Sequence, residues 1–138
     1  MKKMVFLLFV YFAISSCKEG NVQPSLDGEY VGKFYYGSLF GTTQEGAASV
    51  KIANGRFQSV GNNSRIPAGG SGAVSVVDSN TVLFSDENVW TANFDWALVL
   101  NGKYSVNVKD DSLFLDKKIE GNGGINPPII RYKLKRLK

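Results

Sequence analysis

Apolar and polar residues alternate with a period of two along most of the chain after residue 27, a pattern typical of half-buried β-strands. The alternating segments are short and are separated by turns rich in Gly and Asn, and no apolar repeat of 3.6 residues is long enough for a helix. Many short strands joined by tight turns predict an all-β fold, an antiparallel meander of about eight or nine strands forming a small barrel, with a β-sandwich as the alternative. The predicted strands comprise residues 28–36, 47–53, 56–60, 72–77, 81–85, 94–99, 103–109, 112–117 and 129–136.

The register of two hairpins follows from the rule that residues paired across a hairpin share one face of the sheet. A two-residue loop at Asn54 and Gly55 pairs Ile52 with Phe57, which are both apolar. It therefore predicts a type I′ turn with both loop residues at positive φ. A short turn at residues 110–111 pairs apolar with apolar residues in the same way.

A third loop, near residue 101, requires a choice between two registers. A two-residue loop would place Leu98 opposite Ser105 and mix the two faces, whereas a three-residue loop at 100–102 pairs Leu98 with Tyr104. The three-residue loop is therefore predicted, with Gly102 in a left-handed conformation. The predicted core comprises Phe94, Trp96, Leu98, Tyr104, Val106, Val108, Leu113, Leu115, Tyr132 and Leu134.

Successive connections of a meander alternate between the two ends of a barrel, and here they differ in length. The long connections at one end comprise residues 37–46, 61–71 and 86–93. With nine strands, the long connection at residues 118–128 falls at the opposite end, where the chain also enters the first strand. Binding residues are usually carried on loops held by a rigid scaffold. The candidate ligand- or partner-binding residues on the long connections are Phe40, Arg65, Ile66, Asp86, Glu87 and Trp90. In the alternative, Phe40, Ile66 and Trp90 fold inward and close the barrel end.

The first residues carry the pattern of an export signal. Lys2 and Lys3 precede an apolar run of 11 residues at 4–14, whereas a helix that crosses a bilayer needs about 20. Residues 1–16 are therefore predicted to form a signal peptide that is removed from the mature chain. The cysteine that follows, Cys17, is the single cysteine of the sequence.

The sequence Ile-Ser-Ser-Cys at residues 14–17 resembles the bacterial lipobox. In that family the cysteine is lipidated on sulfur, the peptide is cut before it, and the new amino terminus is acylated. The resemblance implies lipidation of Cys17, with residues 17–27 as lipidated cysteine and polar tether and residues 28–138 as the barrel domain. Lys18 and Glu19 resemble the charged start of Bacteroidota lipoproteins, in which such residues favour export to the cell surface. The resemblance implies an outer-membrane location and favours exposure on the cell surface, with the periplasmic face as the alternative. An ordinary secretory signal with a stray thiol is the alternative.

Composition removes several classes of chemistry. The chain has no histidine and one cysteine, which excludes histidine-based catalysis and an internal disulfide. No cofactor is predicted, and no metal site is predicted, because the acidic turns at residues 78–80 and 86–88 lack the spacing of a known calcium loop. The Gly-rich segment at 69–72 lacks the Lys that follows in a nucleotide-binding loop.

Basic residues are concentrated at the end of the chain. Loss of residues 1–16 reduces the formal net charge from +4 to +2, and residues 117–138 hold 7 basic and 1 acidic side chains. Arg131, Lys133 and Lys135 alternate with apolar residues and so form one outward stripe. A solvated strand face is the favoured interpretation, with attraction of a polyanion as the alternative, and no nucleic-acid partner is predicted.

The two ends of the domain resemble those of small lipocalin-like lipoproteins of Bacteroidota. The resemblance lies in Leu-Asp-Gly-Glu-Tyr-Val-Gly at residues 26–32 and Tyr-Lys-Leu-Lys-Arg at residues 132–136. Lipocalins place Gly-x-Trp at the start of the first strand and a basic residue of the last strand across it. Tyr30 would stand for the Trp, and Arg131 or Arg136 for the basic residue. The resemblance implies a lipocalin-like barrel that binds a ligand or partner without catalysis.

The leading hypothesis is a lipid-anchored, non-enzymatic module of the cell envelope that binds a small apolar or amphipathic ligand, or a partner protein, through its long distal loops. A second hypothesis is a structural lipoprotein that packs on another envelope component and needs no pocket. The third, a carboxylate-dependent hydrolase, requires two acidic side chains that converge in a cleft.

Overall fold

A computed structural model describes residues 25–121 and 126–138, and these residues form a closed antiparallel barrel of eight strands. Each strand pairs with the next, and the last pairs with the first, so the predicted all-β barrel is confirmed. The strands are β1 (Gly28–Ser38), β2 (Thr43–Ala53), β3 (Arg56–Val60), β4 (Gly69–Asp78), β5 (Thr81–Asp86), β6 (Gly102–Lys109), β7 (Ser112–Lys117) and β8 (Pro128–Arg136). A 3₁₀-helix, Trp96–Leu98, lies between β5 and β6. No helix in this part of the chain is long and apolar enough to cross a bilayer.

The predicted signal peptide, Cys17 and the tether as far as residue 24 lie outside the described residues. The last tether residues are described, and they pack against the barrel. Leu26 is buried among the core residues, and the Tyr30 hydroxyl donates a hydrogen bond to the Leu26 carbonyl at 2.9 Å. This segment therefore closes the end of the barrel at which β1 begins.

Two hairpins have the predicted register. Ile52 pairs with Phe57 across the loop of Asn54 and Gly55, whose φ angles are 53° and 71°. Both angles are positive, as a type I′ turn requires. Residues 110–111 join β6 to β7, with Val108 opposite Leu113.

The predicted strand at residues 94–99 is wrong. Val82 of β5 pairs directly with Tyr104 of β6, so the predicted pairing of Leu98 with Tyr104 does not form. The segment instead turns into the 3₁₀-helix, which Asp95 caps by accepting a hydrogen bond from the Ala97 N–H at 2.8 Å. A capping carboxylate accepts hydrogen bonds from the free N–H groups at the start of a helix and so stabilises it. The alternation of apolar and polar residues does not reveal such a cap. Gly102 has the predicted positive φ, at 95°, but it begins β6 rather than ending a hairpin.

Because residues 94–99 do not form a strand, the connections that follow lie at the opposite ends of the barrel from those predicted. Seven strands, not eight, precede the last long connection, so it joins the other long ones, and the prediction that it lies at the opposite end is wrong. The end that carries residues 39–42, 61–68, 87–101, 118–121 and 126–127 is here called the distal end. The opposite end, with the short turns and the start of β1, is the tether end.

The interior of the barrel is filled by side chains. Phe34, Phe84, Tyr104 and Tyr132 are fully buried and pack ring against ring, with Phe34 and Tyr132 centroids 4.7 Å apart and Phe84 and Tyr104 centroids 5.6 Å apart. Most of the predicted core is confirmed as buried: Leu98, Tyr104, Leu113, Leu115, Tyr132 and Leu134. Val106 and Val108 are partly buried and pack against this core. The predictions that Phe94 and Trp96 belong to the core are wrong, because Phe94 is only half-buried and Trp96 is 59% exposed.

The distal end of the interior is closed by the connection between β5 and β6. Leu98 and Leu100 are buried there. The Ala68 N–H donates to the Leu98 carbonyl at 3.0 Å, and the Leu100 N–H donates to the Gly69 carbonyl at 2.9 Å. Residues 98–100 therefore lie across the barrel mouth as part of the core, and Leu26 closes the other end.

The first and last strands meet through an aromatic and a basic side chain. The Arg136 guanidinium lies 5.3 Å from the Tyr30 ring centroid and donates a hydrogen bond to the Tyr30 hydroxyl at 2.7 Å. A Cβ at Gly28 would lie 3.1 Å from the Arg136 Nε, so glycine leaves room for this contact. Of the two predicted basic residues, Arg136 lies across Tyr30, and Arg131 instead pairs with Asp116 on the outer face.

Candidate functional site

The distal end carries a group of exposed apolar side chains. We call this group the distal rim, and it comprises Leu39, Phe40, Val89, Trp96 and Ile119. Phe40 is 73% exposed and Val89 is fully exposed. Exposed Val31, Val60 and Leu137 lie elsewhere, on the outer wall, and Val76 and Val77 lie near the tether end. The distal rim is therefore set by the long connections and not by the barrel wall.

Phe40 is the only one of the six predicted candidates that belongs to the distal rim. Its N–H donates to the Asn126 Oδ1 at 3.0 Å, which ties the β1–β2 connection to the segment before β8. Its side chain does not fold inward, so the alternative in which Phe40 closes the barrel is wrong. Ile66 does pack partly buried against the core, as that alternative expects.

Three of the predicted candidates, Arg65, Trp90 and Asp86, are linked by contacts that include Phe94, which was not predicted as a candidate. The Arg65 guanidinium lies 5.3 Å from the Phe94 ring centroid, and the Trp90 and Phe94 centroids are also 5.3 Å apart. The Trp90 Nε1 donates to the Asp86 Oδ2 at 2.5 Å. This chain of contacts joins the connections at 61–68 and 87–101 beside the barrel mouth, with Phe94 as its centre.

Asp86 and Glu87 have separate structural roles. The Asp86 Oδ1 accepts hydrogen bonds from the Ser71 N–H and from Asn88, both at 2.8 Å. Glu87 forms a two-pronged ion pair with Arg56 at 2.8 Å, and this contact lowers the pKa of its carboxyl. The two adjacent carboxylates are therefore directed to different partners.

A second polar group at the distal mouth was missed by the sequence analysis. The Tyr36 hydroxyl donates to the Asp95 carboxylate, and this hydrogen bond, with burial second, raises the pKa of Tyr36. Lys117 follows buried Leu113 and Leu115 on the inward face of β7. Its Nζ lies 5.8 Å from the ring centroid of Tyr104.

Lys117 is a partly buried cation. Burial lowers its pKa, and attraction to Asp95 acts in the opposite direction but is the smaller effect. The pKa of neighbouring Tyr104 is strongly raised, because burial opposes formation of a phenolate. Both groups therefore meet a medium of lower polarity than water. Since Leu113 and Leu115 face the core, the alternation of side chains along β7 also directs Lys117 inward. This alternation was the feature of the sequence that could have identified Lys117.

A groove of about 550 Å³ lies next to Lys117, where β6 begins and the β7–β8 connection leaves β7. Its lining residues are Leu83, Ala97, Gly102, Lys103, Lys117, Lys118, Ile119, Glu120, Pro128 and Ile130. The lining combines apolar side chains with three lysines and one glutamate.

Metal-binding side chains do not gather in the part of the chain that the structure describes, where no group of three or more acidic or cysteine side chains is found. Asp78, in one of the acidic turns, accepts a hydrogen bond from the Asn80 N–H at 2.8 Å. This bond lowers the pKa of Asp78 and holds the turn. Aspartate commonly stabilises turns by accepting a hydrogen bond from the backbone two residues ahead.

Replacement of Lys117 by methionine is expected to stabilise the protein. At neutral pH the native state holds a cation whose pKa is lowered by burial, so removal of the charge removes a cost while methionine keeps the volume. We expect the midpoint of thermal unfolding to rise by about 3 °C, equivalent to roughly 0.5–1 kcal/mol for a domain of this size. Lys103→Met removes a lysine of the same groove that pairs with Glu120, and we expect no rise. Equal behaviour of the two variants in calorimetry would contradict this account.

Comparison of the chain with protein-family models, with curated proteins and with solved structures finds no match, so the site is interpreted from its own geometry.

Proposed function

We propose that this protein is a lipid-anchored, non-enzymatic module of the cell envelope that binds a partner protein through its distal rim. The observation that carries the proposal is the combination of a filled barrel with exposed apolar side chains on the distal connections. A filled interior leaves the outer surface as the place of recognition. The proposed location is the outer membrane, with the anchor on Cys17.

A partner protein is favoured over a small ligand inside the barrel. A small-molecule site is a concave pocket of roughly 300–1,000 Å³ that surrounds most of its ligand. Tyr104, Tyr132 and Leu100 are fully buried in the space that such a ligand would occupy, and Leu26 closes the tether end. A ligand could enter only by displacing these side chains, at a cost of several kcal/mol.

The composition of the distal rim suits a protein interface. Aromatic residues provide most of the binding energy at many interfaces, where they form a central apolar cluster with a polar border. Phe40 and Trp96 are 73% and 59% exposed, and polar Asn126 lies beside Phe40. Large apolar side chains that stay exposed on loops at one end of a domain mark candidate interaction sites.

The proposed anchor suits this use of the distal rim. β1 begins at the tether end, so a lipid on Cys17 would hold that end toward the membrane and leave the distal rim facing away. Several acyl chains, each contributing about 0.8 kcal/mol per buried methylene, give durable attachment. The divergent hydrogen bonds of Asp86 and Glu87 support the non-enzymatic part of the proposal, because a carboxylate-dependent hydrolase needs two convergent acids.

The proposal is tested by comparing two triple variants in cells. The rim variant is Leu39→Ser, Phe40→Ser and Trp96→Ser, and the wall variant is Val31→Ser, Val60→Ser and Leu137→Ser, which also replaces three exposed apolar side chains. After cross-linking in intact cells, we expect the native protein and the wall variant to migrate in one discrete larger complex. The rim variant should lose most of it, by about tenfold if each aromatic contributes as at known interfaces.

Loss of the complex in the wall variant alone would contradict rim binding and favour the structural hypothesis. An uncomplexed native protein would contradict both. Circular dichroism of each purified variant shows whether the barrel is intact.

A further inference from the structure

The groove beside Lys117 has a cationic side and an apolar side. Leu83, Ala97 and Pro128 provide apolar surface, and Lys103, Lys117 and Lys118 provide the cations. One glutamate, Glu120, lies among them. The lining therefore has a net positive charge.

Two of the three lysines already have a polar partner within the protein. Lys103 forms an ion pair with Glu120 at 2.6 Å, and Lys118 donates a hydrogen bond to the Thr81 hydroxyl at 2.5 Å. Among residues 25–121 and 126–138, no carboxylate lies within 4.0 Å of the Lys117 Nζ, and Lys117 donates no hydrogen bond. Lys118 keeps its charge, but it is held by Thr81 and attracts Asp78. Lys117 is thus the lysine of the groove that has neither an ion pair nor a hydrogen bond within the described part of the chain and offers all its donors to an anion.

Asp95 is the acidic group that attracts Lys117, and each of its oxygens already accepts a hydrogen bond. It accepts hydrogen bonds from the Tyr36 hydroxyl and from the Ala97 N–H. It attracts Lys117 from a distance without forming an ion pair. A partly buried ammonium without a direct counter-charge gains more from an anion than a solvated lysine does, because the surrounding medium screens less.

We infer that this groove binds an amphipathic carboxylate, with the carboxylate on Lys117 and the apolar chain along Leu83, Ala97 and Pro128. The groove is open to solvent, and its volume of about 550 Å³ has room for a short alkyl chain. The groove lies outside the filled interior, so binding does not require the core to open. The inference stands independently of the proposed partner at the distal rim.

A carboxylate is favoured over a phosphate as the anionic group. A phosphate or phosphate ester offers three acceptor oxygens and is usually held by several donors, often an arginine fork. Lys117 is a single point charge, and no arginine lines the groove. One ammonium matches one carboxylate.

Titration calorimetry of the mature, lipidated protein in a non-ionic detergent tests the inference with octanoate, after subtraction of a titration into protein-free detergent. We expect octanoate to bind, and Lys117→Met to weaken it about tenfold, the effect of one charge-assisted contact of about 1.4 kcal/mol. Lys103→Met, the matched control, should change the affinity less than about twofold. Octanol, which has the chain without the charge, should bind about tenfold more weakly than octanoate.

Equal weakening by Lys117→Met and Lys103→Met would overturn the assignment of the head group. Equal affinity for octanol and octanoate would overturn the role of charge, and tighter binding of octyl phosphate would overturn the choice of carboxylate. Absence of binding at millimolar octanoate would overturn the site. Since these titrations contain no other protein, their failure is separate from failure of the rim experiment.

Discussion

Leu100→Ala is expected to lower the free energy of unfolding by about 3 kcal/mol, the typical cost of an alanine at a fully buried leucine. Leu100 lies in the connection between β5 and β6, and its side chain is fully buried. Its N–H also donates to the Gly69 carbonyl, so the backbone around the cavity is held in place and cannot collapse freely. The loss should appear as a lower midpoint in urea unfolding.

Leu39→Ala is the matched control for this experiment. Leu39 is also a leucine of a distal connection, but it is 59% exposed. Its substitution should change the free energy of unfolding by less than about 0.5 kcal/mol. Similar losses in the two variants would mean that residues 98–100 do not close the barrel.

Cys17→Ala is expected to remove nearly all of the protein from the membrane fraction. The expectation follows from the lipobox-like sequence before this residue, since an alanine cannot carry a lipid on sulfur. An anchor of several acyl chains gives durable attachment, so its loss should release the protein. Globomycin, which blocks cleavage of lipoprotein signals, should cause the uncleaved precursor of the native protein to accumulate.

Lys18→Ala is the control for the anchor. It changes the residue next to Cys17 without removing the sulfur, so membrane fractionation should be unchanged. A Cys17→Ala protein that remains in the membrane fraction, or a precursor that globomycin does not affect, would contradict lipid anchoring.

Local turn chemistry made much of the barrel predictable. Asn54-Gly55 has the two residue types that tolerate positive φ at low cost, so the turn type and the pairing of Ile52 with Phe57 followed from sequence. The alternation in β8 likewise placed Tyr132 and Leu134 in the core correctly. Where neighbours in sequence determine the conformation, the prediction holds.

The wrong strand at residues 94–99 has a non-local cause. Phe94, Trp96 and Leu98 alternate with other residues as in a strand, but their environments are set by contacts with distant parts of the chain. Leu98 is held by Ala68 at the barrel mouth, while Phe94 packs between Arg65 and Trp90. A period of two does not distinguish a strand from a short helix that crosses a barrel end.

The sequence predicted at which end of the barrel the long connections gather, but not most of the side-chain contacts there. The long connections do gather at one end, and Phe40 lies exposed there. Lys117 could have been placed in the site by extending the alternation of β7 by one inward position. The hydrogen bond between Tyr36 and Asp95 could not have been, because 59 residues separate them and only the packed connection brings them together.

Site-directed photo-cross-linking tests the central claim most directly. A benzophenone amino acid would replace Phe40 on the distal rim, or Val76 near the tether end as a control of similar exposure, 73% against 56%. After irradiation of cells, the account predicts one discrete adduct from position 40 and none from position 76. Adducts from position 76 alone, or from neither position, would contradict recognition through the distal rim.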